Sequence, residues 1–141
     1  YGYKFHMNDV TATIGLEQLK YVGKTIEKHR TNAARYDKAY EKLKAVQPLR
    51  YKNDRSSAHW LYTMRVKNRQ RFMEHMKAGN ITVSQVHARN DTHTAFKDFK
   101  CDLPGVDEFV SEQVSIPVGW WLTEKDVSHI CNTVIEYDAQ Q

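Results

Sequence analysis

Apolar positions recur along this chain in two periods, and the changes between them divide it into elements. Val10, Ile14, Leu16 and Leu19 follow Asn8-Asp9, both good helix N-cap residues, and predict a first helix. Gly23 interrupts that pattern and is expected to end the helix. Ile26, His29, Ala33, Tyr36, Tyr40 and Leu43 then recur at spacings of three and four. They predict a second helix with a packing face, its charged remainder forming a solvated surface. Pro48 closes the region, and Tyr51 to Ser57 reads as loop.

From His59 to Lys67 the period becomes two. Trp60, Tyr62, Met64 and Val66 alternate with Leu61, Thr63, Arg65 and Lys67, as in a strand with one face buried. Asn68 can cap a helix holding Phe72, Met73 and Met76, which Gly79-Asn80 closes. Ile81, Val83 and Gln85 suggest a second strand, His87 to Thr94 a polar loop, and Phe96 and Phe99 the anchors of a short helical piece. Pro104-Gly105 reads as a turn, Val106 to Ser111 as a short helix and Val114 to Ile116 as a brief strand. Thr123-x-x-Asp126 resembles a capping box ahead of a last helix with the stripe Val127, Ile130, Cys131, Val134, Ile135. The predicted class is α+β: a small, mostly antiparallel three-stranded sheet covered by helices.

Composition narrows the picture. A length of 141 residues allows one core, and 40% hydrophobic content with 11% aromatic suits a globular domain rather than a disordered one. No apolar run approaches the roughly 20 residues of a membrane helix, so no membrane partner is expected. Cys101 and Cys131 indicate neither a disulfide framework nor a zinc site, and a reducing, cytoplasmic setting is the expectation. The net charge of +4 is compatible with an anionic ligand and gives little support to nucleic acid. The chain starts without an initiator Met, which leads to the expectation that it is part of something longer.

Two stretches carry candidate chemistry. Lys4, His6 and Asn8 alternate with Tyr3 and Phe5, so an extended backbone points them to one side, just ahead of a helix N-terminus. A cation, an imidazole and an amide placed there could hold a phosphate. His87, Arg89, Asn90 and His93 lie in a loop dense in hydrogen-bonding groups at a strand end, where binding sites often sit. The spacing of His87, Asp91 and His93 matches no standard metal pattern, and no metal is expected. Trp120-Trp121 is expected to pack in the core or between domains rather than to stack bases, and His75 and His129 to be structural or exposed.

The segment GYKFHMNDVTATIGLEQL resembles the one that follows the lysine-bearing half of the DegT/DnrJ/EryC1/StrS aminotransferases. Lys28-His29-Arg30 to Tyr36-Asp37, Ser57-Ala58-His59-Trp60-Leu61-Tyr62, Val86 to Asp91, and Ile116-Pro117 with Leu122 to Val127 follow in the family's order. The resemblance covers essentially the whole chain. It implies the C-terminal small domain of a fold type I, pyridoxal-phosphate-dependent enzyme acting on a nucleotide-linked keto-sugar. Residues 1–22 would be the junction with a large domain and 23–141 the small domain. The lysine that holds the cofactor would lie upstream, and no Lys here has its sequence context, so no catalytic residue is assigned. Pyridoxal phosphate is expected in the parent enzyme and not tightly on this fragment.

The resemblance also implies that Lys4, His6 and Asn8 reach the cofactor phosphate of a partner subunit in a homodimer. Many members have Asn where Lys4 stands and Arg where His6 stands, so which of the two makes the contact stays open. The 87–93 loop would face the nucleotide-sugar, with Arg89 pairing its diphosphate. Many members read His-Tyr-x-Pro-x-His there, whereas this chain has Ala88 and Asn90. The amino donor of the parent would be glutamate. The alternative is a free-standing binding or regulatory module that keeps the fold without the chemistry.

Overall fold

Tyr62, Met64 and Val66 share one face of a strand, and the domain is built on that face. The computed structural model of the chain describes residues 6–141. The helices are α1 (Asp9–Leu19), α2 (Val22–Tyr40), α3 (Arg69–Ala78), α4 (Pro104–Glu112) and α5 (Glu124–Asp138). The strands are β1 (Val46–Pro48), β2 (Tyr62–Val66) and β3 (Gln113–Ile116), with two 3-10 turns at Asn90–Thr92 and Thr94–Phe99. The sheet order is β1-β2-β3. Val46 pairs with Val66, and Tyr62 with Ile116, both ladders antiparallel. This is the expected α+β class.

One face of the sheet is apolar. Tyr62, Met64, Val66, Val46, Val114 and Ile116 are buried beneath α2, α3 and α5, which supply Tyr36, Tyr40, Phe72, Met76, Val127, Val134 and Tyr137. Burying each large side chain contributes about 1.5–3 kcal/mol, so this layer dominates folding. Tyr36 and Tyr40 stack with centroids 5.7 Å apart, and Tyr62 meets Tyr36 edge-on at 5.1 Å. Their polar tips need partners: Tyr36 donates to Pro117 O at 2.9 Å and Tyr62 to Asp37 Oδ1 at 2.6 Å.

The other face is polar and also covered. Thr63 and Ser115 are paired across the ladder, their hydroxyls are 2.9 Å apart, and both are buried with Gln113. Arg65 bonds Glu112 at 2.7 Å and also pairs with Glu108, fastening α4 over that side. The one-sided burial expected for β2 is therefore corrected. As the central strand it has both faces covered, and alternation marks polarity rather than exposure.

Other expectations shift for local reasons. α1 ends at Leu19, where the Lys20 and Tyr21 amides fold back onto Glu17 O and Gln18 O; Gly23 instead lies in the first turn of α2. β1 was not expected, because three residues ending in Pro48 carry too short a pattern to read. Residues 81–85 make no strand. Only Ser84 bridges Ser115, through a reciprocal pair of bonds at 3.1 and 2.8 Å. Pro104 opens α4 rather than forming a turn, using the helix position where its missing N–H costs nothing. Phe96 and Phe99 are exposed and anchor nothing within the described residues. His59, at φ 48°, turns the chain before β2, so Trp60 falls outside the strand and is exposed.

Candidate functional site

The phosphate-binding expectation falls at the start of α1. Asn8 is extended, and its Oδ1 accepts from the Thr11 amide at 2.9 Å, so it is the N-cap the sequence indicates. That leaves its amide NH2 outward beside the first-turn N–H groups. His6 is exposed, and Lys4 lies outside the described residues. Asp9 places a carboxylate in the same turn, which opposes an anion there. His6 and Asn8 therefore fit the phosphate end of a cofactor. The covalent end has no seat: every described Lys is exposed except Lys28, whose ammonium is 3.3 Å from Glu124.

α1 itself buries nothing. Val10, Ile14, Leu16 and Leu19 are all exposed, and they fall on opposite sides of the helix rather than in one stripe. A helix apolar all round is normally covered on more than one side.

The 87–93 loop is built differently from expectation. His87, Asn90 and His93 are exposed, and among the described residues their side chains make no hydrogen bond. Arg89 is turned inward, its side chain 12% exposed, beside Asp91 at 13%. Its Nε donates to Asp91 Oδ1 at 2.8 Å, and its other nitrogens reach Asp91 Oδ2, Asp107 and the Cys101 carbonyl. Hydrogen bonds from Arg89 hold the Asp91 carboxyl below its ordinary range, and the two carboxylates hold the guanidinium still more firmly protonated. Its charge is thus already matched by two anions.

A third cluster was missed by the sequence reading. On α2, buried Asn32 donates from Nδ2 to Val118 O and Gly119 O, both at 3.1 Å, and fixes the turn leading to Trp120-Trp121. One turn earlier, His29 Nδ1 lies 3.0 Å from His59 O, and its ring meets Trp121 edge-on at 6.3 Å. Burial pushes the His59 pKa down. A Cβ on Gly119 would fall 2.1 Å from a Trp121 ring carbon, so the indole lies directly over that glycine. Trp120 and Trp121 are 59% and 62% exposed, so within this chain they are not core. The available signal was a polar Asn32 and His29 inside an otherwise apolar helical stripe.

His75 and His129 bond the Thr133 and Gly79 carbonyls at 3.0 and 2.8 Å and tie α3 to α5. Among the described residues no group of three or more His, Cys, Asp or Glu gathers to hold a metal. No hydrogen bond or ion pair joins residues 6–8 to the 87–93 loop among the described residues.

The sequence profile of the DegT/DnrJ/EryC1/StrS aminotransferase family matches residues 1–135. The chain belongs to that family. The fold agrees: the sugar aminotransferase CalS13 from Micromonospora echinospora superposes with a TM-score of 0.89 at 38% identity over 96% of this chain and 37% of its own. AtS13 from Actinomadura melliaura gives 0.88 at 38% identity, with 96% and 36% covered. The UDP-4-amino-4,6-dideoxy-N-acetyl-beta-L-altrosamine transaminase of Campylobacter jejuni is 26% identical over 94% of this chain and 37% of its own length. The chain thus spans little more than a third of these relatives, in keeping with a C-terminal domain of the family. DegT-family aminotransferases are pyridoxal-phosphate-dependent. No helix among the described residues is long and apolar enough to cross a membrane.

Proposed function

We propose that this chain serves as the C-terminal small domain of a pyridoxal-phosphate-dependent aminotransferase acting on a nucleotide-linked keto-sugar, with glutamate as amino donor. The family match over residues 1–135 carries this reading. Residues 1–22 form the junction with a large domain that bears the lysine, and 23–141 form the small domain. The parent works as a cytoplasmic homodimer. When bound, the cofactor supplies the electron sink for moving the amino group. This chain's part is to bind and orient: Lys4, His6 and Asn8 hold the cofactor phosphate at the start of α1, and His87, Asn90 and His93 offer hydrogen bonds to the sugar substrate. The exposure of α1 on opposite sides supports a position between two bodies, the large domain and the partner subunit.

The test is the complete polypeptide assayed for transamination of nucleotide keto-sugars, beside a triple Lys4→Ala, His6→Ala, Asn8→Ala variant. Each charge-assisted contact to phosphate contributes about 1.5–3 kcal/mol, so cofactor dissociation should tighten or loosen by roughly tenfold or more per contact. Loosened cofactor in the triple variant is the expected result. Unchanged retention assigns the stretch to helix capping alone.

A further inference from the structure

The 87–93 loop has no strand or α-helix of its own to hold it. Its 3-10 turns, Asn90–Thr92 and Thr94–Phe99, are short, and no residue between 84 and 103 belongs to the buried core. An exposed loop of this kind leaves hydrogen-bonding side chains poorly oriented, unless something inside it substitutes for a core. Arg89 is the one residue that reaches in several directions at once. Two of its nitrogens engage the two oxygens of Asp91, so the loop closes on itself through a fork-to-fork contact. A third pairs with Asp107 in the first turn of α4, and one also reaches the Cys101 carbonyl. The Arg89 carbonyl accepts from Thr92 Oγ1 at 2.6 Å, and the His93 amide bonds Asn90 O at 3.1 Å. On the other flank, buried Gln113 of β3 donates to the His87 carbonyl.

We propose that Arg89 is not a ligand for the substrate's diphosphate but a positioning residue, a clamp to Asp91 and Asp107 that holds His87, Asn90 and His93 in register for a neutral part of the substrate. This rests on the aminotransferase reading for the identity of the substrate, though the clamp itself does not. A diphosphate approaching Arg89 would meet two carboxylates before an unpaired cation. The three free groups of the loop are imidazoles and an amide, suited to sugar hydroxyl, acyl-amino or base carbonyl groups. The charge that neutralises a diphosphate must then come from elsewhere in the complete enzyme.

The two roles for Arg89 predict opposite signs for one substitution. If Asp107 only masks a phosphate ligand, Asp107→Asn frees Arg89 and lowers KM for the nucleotide-sugar, while Arg89→Ala raises it. If Arg89 is a clamp, both substitutions raise KM with kcat nearly unchanged, by up to about 100-fold if the loop shifts by an ångström. Arg89→Lys should fail to rescue, because an ammonium cannot reproduce the two-pronged contact.

A second measurement is independent of turnover: backbone amide exchange on the 141-residue chain, read over residues 86–103. Arg89→Ala and Asp107→Asn should each speed exchange there about 5- to 30-fold, with β2 and α5 unaffected. The double variant should exchange no faster than the faster single, since both remove one contact. Unchanged exchange in both singles, or opposite KM effects, overturns the clamp. A complete polypeptide without transaminase activity refutes the functional reading, and the exchange result then decides the clamp by itself.

Discussion

Raising the pH should unfold this domain through its tyrosines. Tyr36, Tyr40 and Tyr62 are at most 3% exposed, and burial raises all three phenol pKa values well above the ordinary 10. The hydrogen bond to Asp37 adds to the rise at Tyr62. Because the folded values lie above the unfolded one, the stabilising contribution is complete below about pH 10 and is lost as pH rises toward the folded values. At pH 11 an unfolded tyrosine has gained about 1.4 kcal/mol from ionisation, so three together cost the folded state about 4 kcal/mol. A domain of this length has about 7–21 kcal/mol in all, so the loss is a large fraction. Cys131, pushed up by the same burial, adds to it from about pH 9. The assay is urea unfolding by circular dichroism at pH 8, 10 and 11, with tyrosinate absorbance followed in parallel. With a slope of about 2 kcal/mol/M the midpoint should fall by about 2 M between pH 8 and 11. Tyr62→Phe should remove about a third of that pH dependence while lowering stability at neutral pH. Three buried phenols titrating near pH 10 with the fold intact, or a flat midpoint, would refute the reasoning.

Two further outcomes follow from the helix termini. Thr123 caps α5 reciprocally with Asp126, its amide donating to Asp126 Oδ2 at 2.8 Å, so Thr123→Ala should cost about 0.5–2 kcal/mol, read as a lowered Tm; an unchanged Tm would mean that the box contributes nothing. Val10, Ile14, Leu16 and Leu19 of α1 are exposed together, so the chain should self-associate by a two-fold contact that a version starting at Lys24 loses, as seen by light scattering. A full chain that stays monomeric at high concentration would sink that expectation.

What the sequence determined by itself lies within a few residues of each signal. The Asn8 cap accepts from Thr11, Thr123 closes a box with Asp126, and Gly79-Asn80 stops α3, with Asn80 left-handed at φ 59°. Each is a bond or a dihedral preference spanning a turn, and chain composition is enough to specify it. The α5 stripe and the β2 alternation were equally legible, because burial on one side of a regular element leaves its period in the residues. The family order of five motifs extended that reading to the fold class.

Only the tertiary structure decided the rest. Gly23 could end a helix or begin one, and the fold of Lys20 and Tyr21 back onto Glu17 and Gln18 selects the second. Three residues at β1 become a strand because Val66 lies opposite Val46. Arg89 looked like a cation free for a phosphate; Asp107, 18 residues away, and the adjacent Asp91 take its charge. Trp121 looked like core, yet it lies over Gly119 with most of its surface exposed. In each case the outcome depends on which distant group arrives beside the residue, and residue type and spacing carry no record of that.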